Sequence, residues 1–150
     1  MTIENLLEKL WIDYTSLNPS TKKVFDLLSE KEATIYNDHI AFRTFSGKCG
    51  VDQFAKAFCD LGYEAKQDYD FPVKKLYAKH YEHENPDLPK IFISELKQEE
   101  LSKDLQKVVD SCITSISDGD IEAKDFCDTN CLSTSGSLPL EPLPITISAP

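Results

Sequence analysis

The pattern of hydrophobic and polar residues predicts one strand, one helix and then three more strands in the middle of the chain. The first strand runs from about Thr34 to Phe45. The helix that follows ends near Gly62, where a left-handed C-terminal cap is expected. The pattern places the last three strands at Tyr63–Phe71, Leu76–His83 and Lys90–Leu96.

Amphipathic segments flank this core. Leucines and aromatic residues spaced as on one helix face predict helices over Ile3–Tyr14 and Thr21–Ser29, and a later amphipathic helix over Gln98–Ile116 that packs outside the sheet. Residues 128–150 contain two charged side chains and four prolines, without a clear period. We therefore expect an α+β module in residues 1–117 and a disordered or aberrant tail in residues 118–150.

The first predicted strand carries a histidine and an arginine on one face. Period-two alternation puts His39, Ala41, Arg43 and Phe45 on the same side. A buried imidazole needs a hydrogen-bond partner or a metal, and a buried guanidinium needs an anion. His39 is a candidate metal ligand, and Arg43, about 13 Å further along the strand, is a candidate carboxylate clamp. The alternatives are an ordinary hydrogen-bonded histidine and a structural ion pair.

Two further residues, His80 and Glu95, are candidate metal ligands. His80 and His83 lie on opposite faces of their strand by parity, so both cannot join one site unless the strand ends between them. Glu95 closes the last strand, where the sheet could bring its carboxylate beside His39. For His80 and Glu95 the alternative is a solvated residue near a strand end.

Composition argues against several classes of partner. Sixteen basic and 26 acidic residues give a net charge of −10, which disfavours nucleic acid and anionic membranes. No apolar run is long enough for a membrane span. Five cysteines at irregular spacing, without a signal-peptide pattern, predict free thiols and a cytoplasmic location. Cys127 and Cys131 have no matching second pair and give little support to a zinc site.

Three segments carry a resemblance to a known family. They are residues 37–45 (NDHIAFRTF), 74–83 (KKLYAKHYEH) and 88–96 (LPKIFISEL). In this order they resemble the 2-oxoadipate dioxygenase/decarboxylase family, also called hydroxyglutarate synthase, over about residues 3–117. The resemblance implies a vicinal-oxygen-chelate-like fold built from βαβββ modules, which agrees with the predicted order of elements.

The same resemblance implies chemistry. In such enzymes two modules form a cup around a divalent metal, here Fe(II) held by two histidines and one carboxylate, with positions open for a 2-oxoacid and O₂. His39 is similar to the first metal ligand of the family, and Arg43 to the arginine that grips the substrate carboxylate. The implied reaction is oxidative decarboxylation of a 2-oxoacid such as 2-oxoadipate, followed by hydroxylation of the shortened acid. Zinc, nickel or manganese could also occupy a site of this kind.

The sequence departs from the family after about residue 118. The family takes its second histidine and its glutamate ligand from a later module, whereas no histidine follows His83 here. We expect a fragment, a natural truncation or a lost reading frame, and an incomplete site unless a homodimer forms. Three functions stay open: a 2-oxoacid dioxygenase, a non-catalytic single module, and a glyoxalase-like protein that binds a small ligand.

Overall fold

The computed structural model describes residues 1–31 and 35–114, and its elements follow the predicted order. The elements are α1 (Ile3–Leu17), α2 (Pro19–Ser29), β1 (His39–Phe45), α3 (Val51–Cys59), β2 (Tyr63–Phe71), β3 (Leu76–His83), β4 (Lys90–Leu96) and α4 (Lys103–Thr114). The α+β class and the βαβββ order are therefore confirmed. The predicted tail, with Cys127 and Cys131, lies outside the described residues.

The four strands form one mixed sheet in the order β1-β4-β3-β2. β1 pairs with β4 in parallel, and the other two pairings are antiparallel. The α3 crossover makes the parallel pairing possible, because parallel neighbours cannot be joined by a tight turn. β1 and β2 are the two edges of this sheet.

One face of the sheet holds the main core. Helices α1 and α3 cover it, and the core consists of Ile3, Leu6, Leu10, Phe42, Val51, Ala55, Phe58, Tyr63, Tyr81, Ile91 and Ile93. Phe58, Leu6, Ile91 and Ile93 are fully buried. The opposite face, called the open face below, has α4 at one end only: there Phe45 packs with Val109 and Ile113.

Several predicted boundaries are wrong: α1 ends at Leu17 rather than Tyr14, α2 begins at Pro19 rather than Thr21, and two starts differ by more. β1 begins at His39 rather than near Thr34, since Asn37 and Asp38 are poor strand residues and the parallel partner begins opposite His39, at Lys90. Thr34 lies outside the described residues. The last helix begins at Lys103, after a short 3₁₀ turn over residues 98–100.

Two local predictions are confirmed. Gly62 follows α3 with φ of +100°, a backbone conformation in which glycine has no Cβ penalty. A Cβ there would lie 2.7 Å from Nε2 of His83, so the close approach also needs glycine. Cys49, Cys59 and Cys112 form no disulfide with one another within the described ranges, as expected.

Candidate functional site

A cavity of about 530 Å³ opens on the open face of the sheet. Its lining comes from β1, β2, β3, β4 and the residue before β1: Asp38, His39, Ala41, Tyr69, His80, Lys90 and Phe92. The strand register explains this grouping, because Ala41 pairs with Phe92 and Phe92 pairs with His80 across the sheet. The structure therefore brings two of the predicted residues, His39 and His80, into one cavity.

His39 is held by the residue that precedes it. Its Nδ1 lies 2.9 Å from Oδ2 of Asp38, and its side chain is 30% exposed. A carboxylate accepts hydrogen bonds, so this contact favours the proton on Nδ1 and leaves Nε2 with a free lone pair. A carboxylate that orients an imidazole in this way is a common arrangement around metal-binding histidines.

Arg43 stands on the same face, further along β1. It is the single arginine of the sequence and is exposed. Within residues 1–31 and 35–114 its guanidinium has no hydrogen bond or ion pair. The alternative of a structural ion pair therefore has no support in this part of the chain, and the five N–H donors are available to a ligand carboxylate.

His80 is engaged by its neighbours. Its Nδ1 lies 3.1 Å from the hydroxyl of Tyr69, and its Nε2 lies 3.6 Å from Oε1 of Glu82. Lys90 contacts the same carboxylate oxygen at 2.9 Å, and this hydrogen bond lowers the pKa of Glu82 below its usual range. Both ring nitrogens of His80 thus have polar neighbours, which suits a hydrogen-bond network better than a metal ligand.

Glu95 is on the opposite side of the sheet from His39. Register pairs it with Thr44, and its Oε2 accepts a hydrogen bond from the backbone N–H of Val51 at 2.7 Å. This places a negative charge at the N-terminus of α3, where the helix dipole favours it. The expectation that the sheet brings Glu95 beside His39 does not hold, because the side chain emerges on the helix-covered face.

His83 also faces the helix side, so the parity argument that separated it from His80 is confirmed. Its ring packs edge-on against Tyr63 with centroids 5.2 Å apart, and its Nδ1 accepts a hydrogen bond from Asn85 N–H. In the described ranges, no three His, Cys, Asp or Glu side chains are grouped closely enough to hold a metal ion. His39 therefore remains a candidate ligand, without two further candidates grouped around it in the described ranges.

Comparison with known proteins gives the family. The sequence model of the 2-oxoadipate dioxygenase/decarboxylase family matches residues 5–125. The chain belongs to this family. A rice protein named 2-oxoadipate dioxygenase/decarboxylase, chloroplastic/amyloplastic, is 34% identical over 152 residues, covering 93% of this chain and 39% of the relative. An Arabidopsis thaliana protein named 2-oxoadipate dioxygenase/decarboxylase, chloroplastic, is 36% identical over 109 residues, covering 64% of this chain and 29% of the relative.

Solved structures agree with the family assignment. Rice hydroxyglutarate synthase, crystallised in complex with 2-oxoadipate, matches with a TM-score of 0.69 and 33% identity, over 73% of this chain and 39% of that one. A glyoxalase superfamily protein from Ralstonia eutropha JMP134 matches with a TM-score of 0.64 at 18% identity, over 74% of this chain and 37% of that one. The second match confirms the glyoxalase-like, vicinal-oxygen-chelate fold. This chain spans less than half the length of the curated relatives it matches.

The sequence analysis missed Tyr69, which lines the cavity in this member of the family. Unbroken alternation would put Tyr69 on the same face as Tyr63, against the helices. The pairing of β2 with β3 instead shifts by one residue between Ala65 and Gln67, and this β-bulge turns Tyr69 to the open face. The possibility that Asp38 orients His39 follows from their adjacency in the sequence and agrees with the 2.9 Å contact. Lys90 and Phe92 were missed as lining residues because their role depends on the register between strands, which the sequence pattern does not give.

No helix in the described ranges is both long and apolar enough to span a membrane.

Proposed function

We propose that this chain forms the 2-oxoacid-binding half of a decarboxylating dioxygenase site, on the open face of its sheet. The observation that carries the proposal is the pair of residues on β1: an exposed Arg43 with no partner in the described ranges, and a His39 oriented by Asp38. The family match over residues 5–125 and the 2-oxoadipate in the crystals of the rice relative support 2-oxoadipate as the substrate.

Arg43 binds the substrate in this proposal. Its planar fork of donors matches the two oxygens of a carboxylate and forms parallel charge-assisted hydrogen bonds. Lysine would offer a point charge without that geometry. Arg43 does not itself line the cavity, which reaches Ala41 two residues before it on β1. Ala41, Phe92 and the ring of Tyr69 line that cavity, and these apolar surfaces suit the methylene chain of an aliphatic 2-oxoacid.

His39 would be one ligand of Fe(II), through its free Nε2. Bound iron would supply activation of O₂ and oxidative decarboxylation of the 2-oxoacid, and a zinc, nickel or manganese ion is the alternative occupant. The remaining ligands would come from outside the described residues or from a second copy of the chain in a homodimer.

O₂ is the proposed co-substrate, and the cytoplasm is the proposed location, although the plant relatives are named as chloroplastic.

Equilibrium dialysis against Fe(II) under anaerobic conditions tests the metal part of this proposal, since dialysis also detects weak binding. The wild-type chain should retain more iron than His39→Ala, because the imidazole is the proposed ligand. His83→Ala is the matched control: it removes another histidine, from the helix-covered face, and should retain iron as the wild type does. Equal iron in the wild type and His39→Ala would contradict the proposal.

Arg43→Ala tests the substrate part. Because one bidentate charge-assisted contact is lost, the dissociation constant for 2-oxoadipate should rise at least tenfold, as measured by calorimetry. Arg43→Lys should recover only part of this loss. Unchanged binding in Arg43→Ala would mean that the open face does not hold the 2-oxoacid through this residue.

A further inference from the structure

A single cross-strand row connects Arg43 to Tyr69 on the open face. In the strand register, Arg43 lies opposite Ser94, Ser94 opposite Ala78, and Ala78 opposite Tyr69. The two middle residues have short side chains and are buried, at 6% exposure for Ser94 and 0% for Ala78. A long polar side chain therefore stands at each end of the row, whose two middle residues are covered, and the neighbouring row of Ala41, Phe92 and His80 lines the cavity.

Tyr69 is fixed in place at its end of the row. Its ring packs against Phe92 and Phe71, with centroids 5.5 and 6.3 Å away. Its hydroxyl lies 3.1 Å from Nδ1 of His80, and Gln67 Oε1 is a more distant acceptor at 3.5 Å. The phenol group is thereby held at the cavity that it lines together with His39.

The hydrogen bond to His80 can leave the phenolic proton available to a ligand. Glu82 lies 3.6 Å from Nε2 of His80, which is beyond hydrogen-bond length, so Nε2 does not need to carry the proton. With the proton on Nδ1, His80 donates to the oxygen of Tyr69, and the hydroxyl of Tyr69 then donates to an acceptor in the cavity.

We propose that Tyr69 recognises the second polar end of the 2-oxoacid and that His80 is its positioning residue. This inference rests on the proposed function, in which Arg43 binds a carboxylate. Three strand spacings separate Arg43 from Tyr69, about 14 Å between Cα atoms, and the ring of Tyr69 leans inward from β2, since its centroid lies 5.5 Å from that of Phe92 on β4.

The length of the ligand limits how far apart its two binding groups can lie. A six-carbon chain with a carboxylate at each end measures about 6 Å between its carboxyl carbons. A guanidinium contact at one end and a hydrogen bond at the other each add about 4 Å. Such a ligand can therefore join a guanidinium and a phenol that lie up to about 14 Å apart, and a monocarboxylate of the same length leaves Tyr69 without an acceptor.

Calorimetry with two ligands tests the inference: 2-oxoadipate, and 2-oxohexanoate, which has the same carbon chain without the second carboxylate. Tyr69→Phe keeps the ring contacts and should weaken 2-oxoadipate binding about tenfold, with 2-oxohexanoate binding unchanged within about twofold. Tyr77→Phe is the matched control, since it removes a hydroxyl that donates to Asp68 on the same sheet but faces the helix side. It should leave the binding of both ligands unchanged.

Two variants of His80 test its positioning role. Asn can place an amide group near the position of Nδ1, so His80→Asn should retain most of the preference for 2-oxoadipate, whereas His80→Ala should lose it. Thermal unfolding checks that the variants fold. If both variants bind 2-oxoadipate as the wild type does, His80 does not position Tyr69.

The outcomes separate this inference from the proposed function. If Arg43→Ala weakens the binding of both ligands while Tyr69→Phe weakens neither or both equally, the role of Tyr69 is overturned and the proposed function stands. If the wild type binds neither ligand, or Arg43→Ala changes nothing, the proposed function and the inference fail together.

Discussion

Polar side chains on both faces of the sheet pair within the chain, and Arg43 is the exception among those described above. On the helix-covered face, the hydroxyl of Tyr63 donates to the carbonyl of Pro89 at 2.8 Å, and Lys79 pairs with Asp52 at 2.8 Å, a hydrogen bond that raises the pKa of Lys79. On the open face, Arg43 has no such partner in the described ranges. Partners within the chain serve stability, and the guanidinium without one in these ranges is the group that we propose binds the ligand.

The burial of Tyr63 predicts how the free energy of unfolding changes with pH in the alkaline range. Burial raises its pKa from the ordinary value of 10 to about 12, because desolvation disfavours the phenolate. Between these values the native state keeps a proton that the unfolded state loses, so the free energy of unfolding falls as pH rises, by up to about 2 to 3 kcal/mol for this group. Urea unfolding from about pH 8 to about pH 11 should show the decline.

Tyr63→Phe checks the origin of that decline. The variant should be less stable than the wild type at about pH 8, by about 1 kcal/mol for the lost hydrogen bond, but its stability should fall less steeply above pH 10. Tyr36→Phe, at an exposed position, should keep the wild-type slope. An equally steep decline in Tyr63→Phe and in the wild type would assign the pH dependence to other groups.

At the scale of the elements, the hydrophobic pattern was sufficient for the order and type of the helices and strands but not for the site. Periodicity identifies each element because helix and strand place apolar residues at different spacings. The β-bulge between Ala65 and Gln67 leaves no signal of that kind, although it decides which face Tyr69 occupies. Glu95 was misplaced for a related reason: its role depends on α3 starting directly above it, which is a tertiary contact.

Glu95 should therefore matter for the stability of α3 and not for metal binding. Glu95→Ala removes the acceptor of the Val51 N–H at the helix start, and the free energy of unfolding should fall by about 1 kcal/mol. Glu84→Ala, at an exposed position, is the control and should be near neutral. A loss of iron in Glu95→Ala, with unchanged stability, would contradict the structural role and restore Glu95 as a ligand candidate.

At the scale of the whole molecule, the two faces of one sheet have different tasks. Helices α1 and α3 bury the apolar side chains of one face, and that packing fixes the strand register. The register in turn aligns His39, Arg43, Tyr69 and His80 on the other face. The central claim is that this second face binds the 2-oxoacid.

An NMR titration tests that claim most directly. The ¹⁵N-labelled 150-residue chain is titrated with 2-oxoadipate, and the amide chemical shifts are measured at each step. We expect the largest shifts in the rows of the open face, at Ala41, Arg43 and Phe92, and small shifts at Ile93 and Tyr81, whose side chains face the helices. Arg43→Ala should remove the shifts. Saturable shifts centred on the helix-covered face, or no shifts at all, would contradict the account.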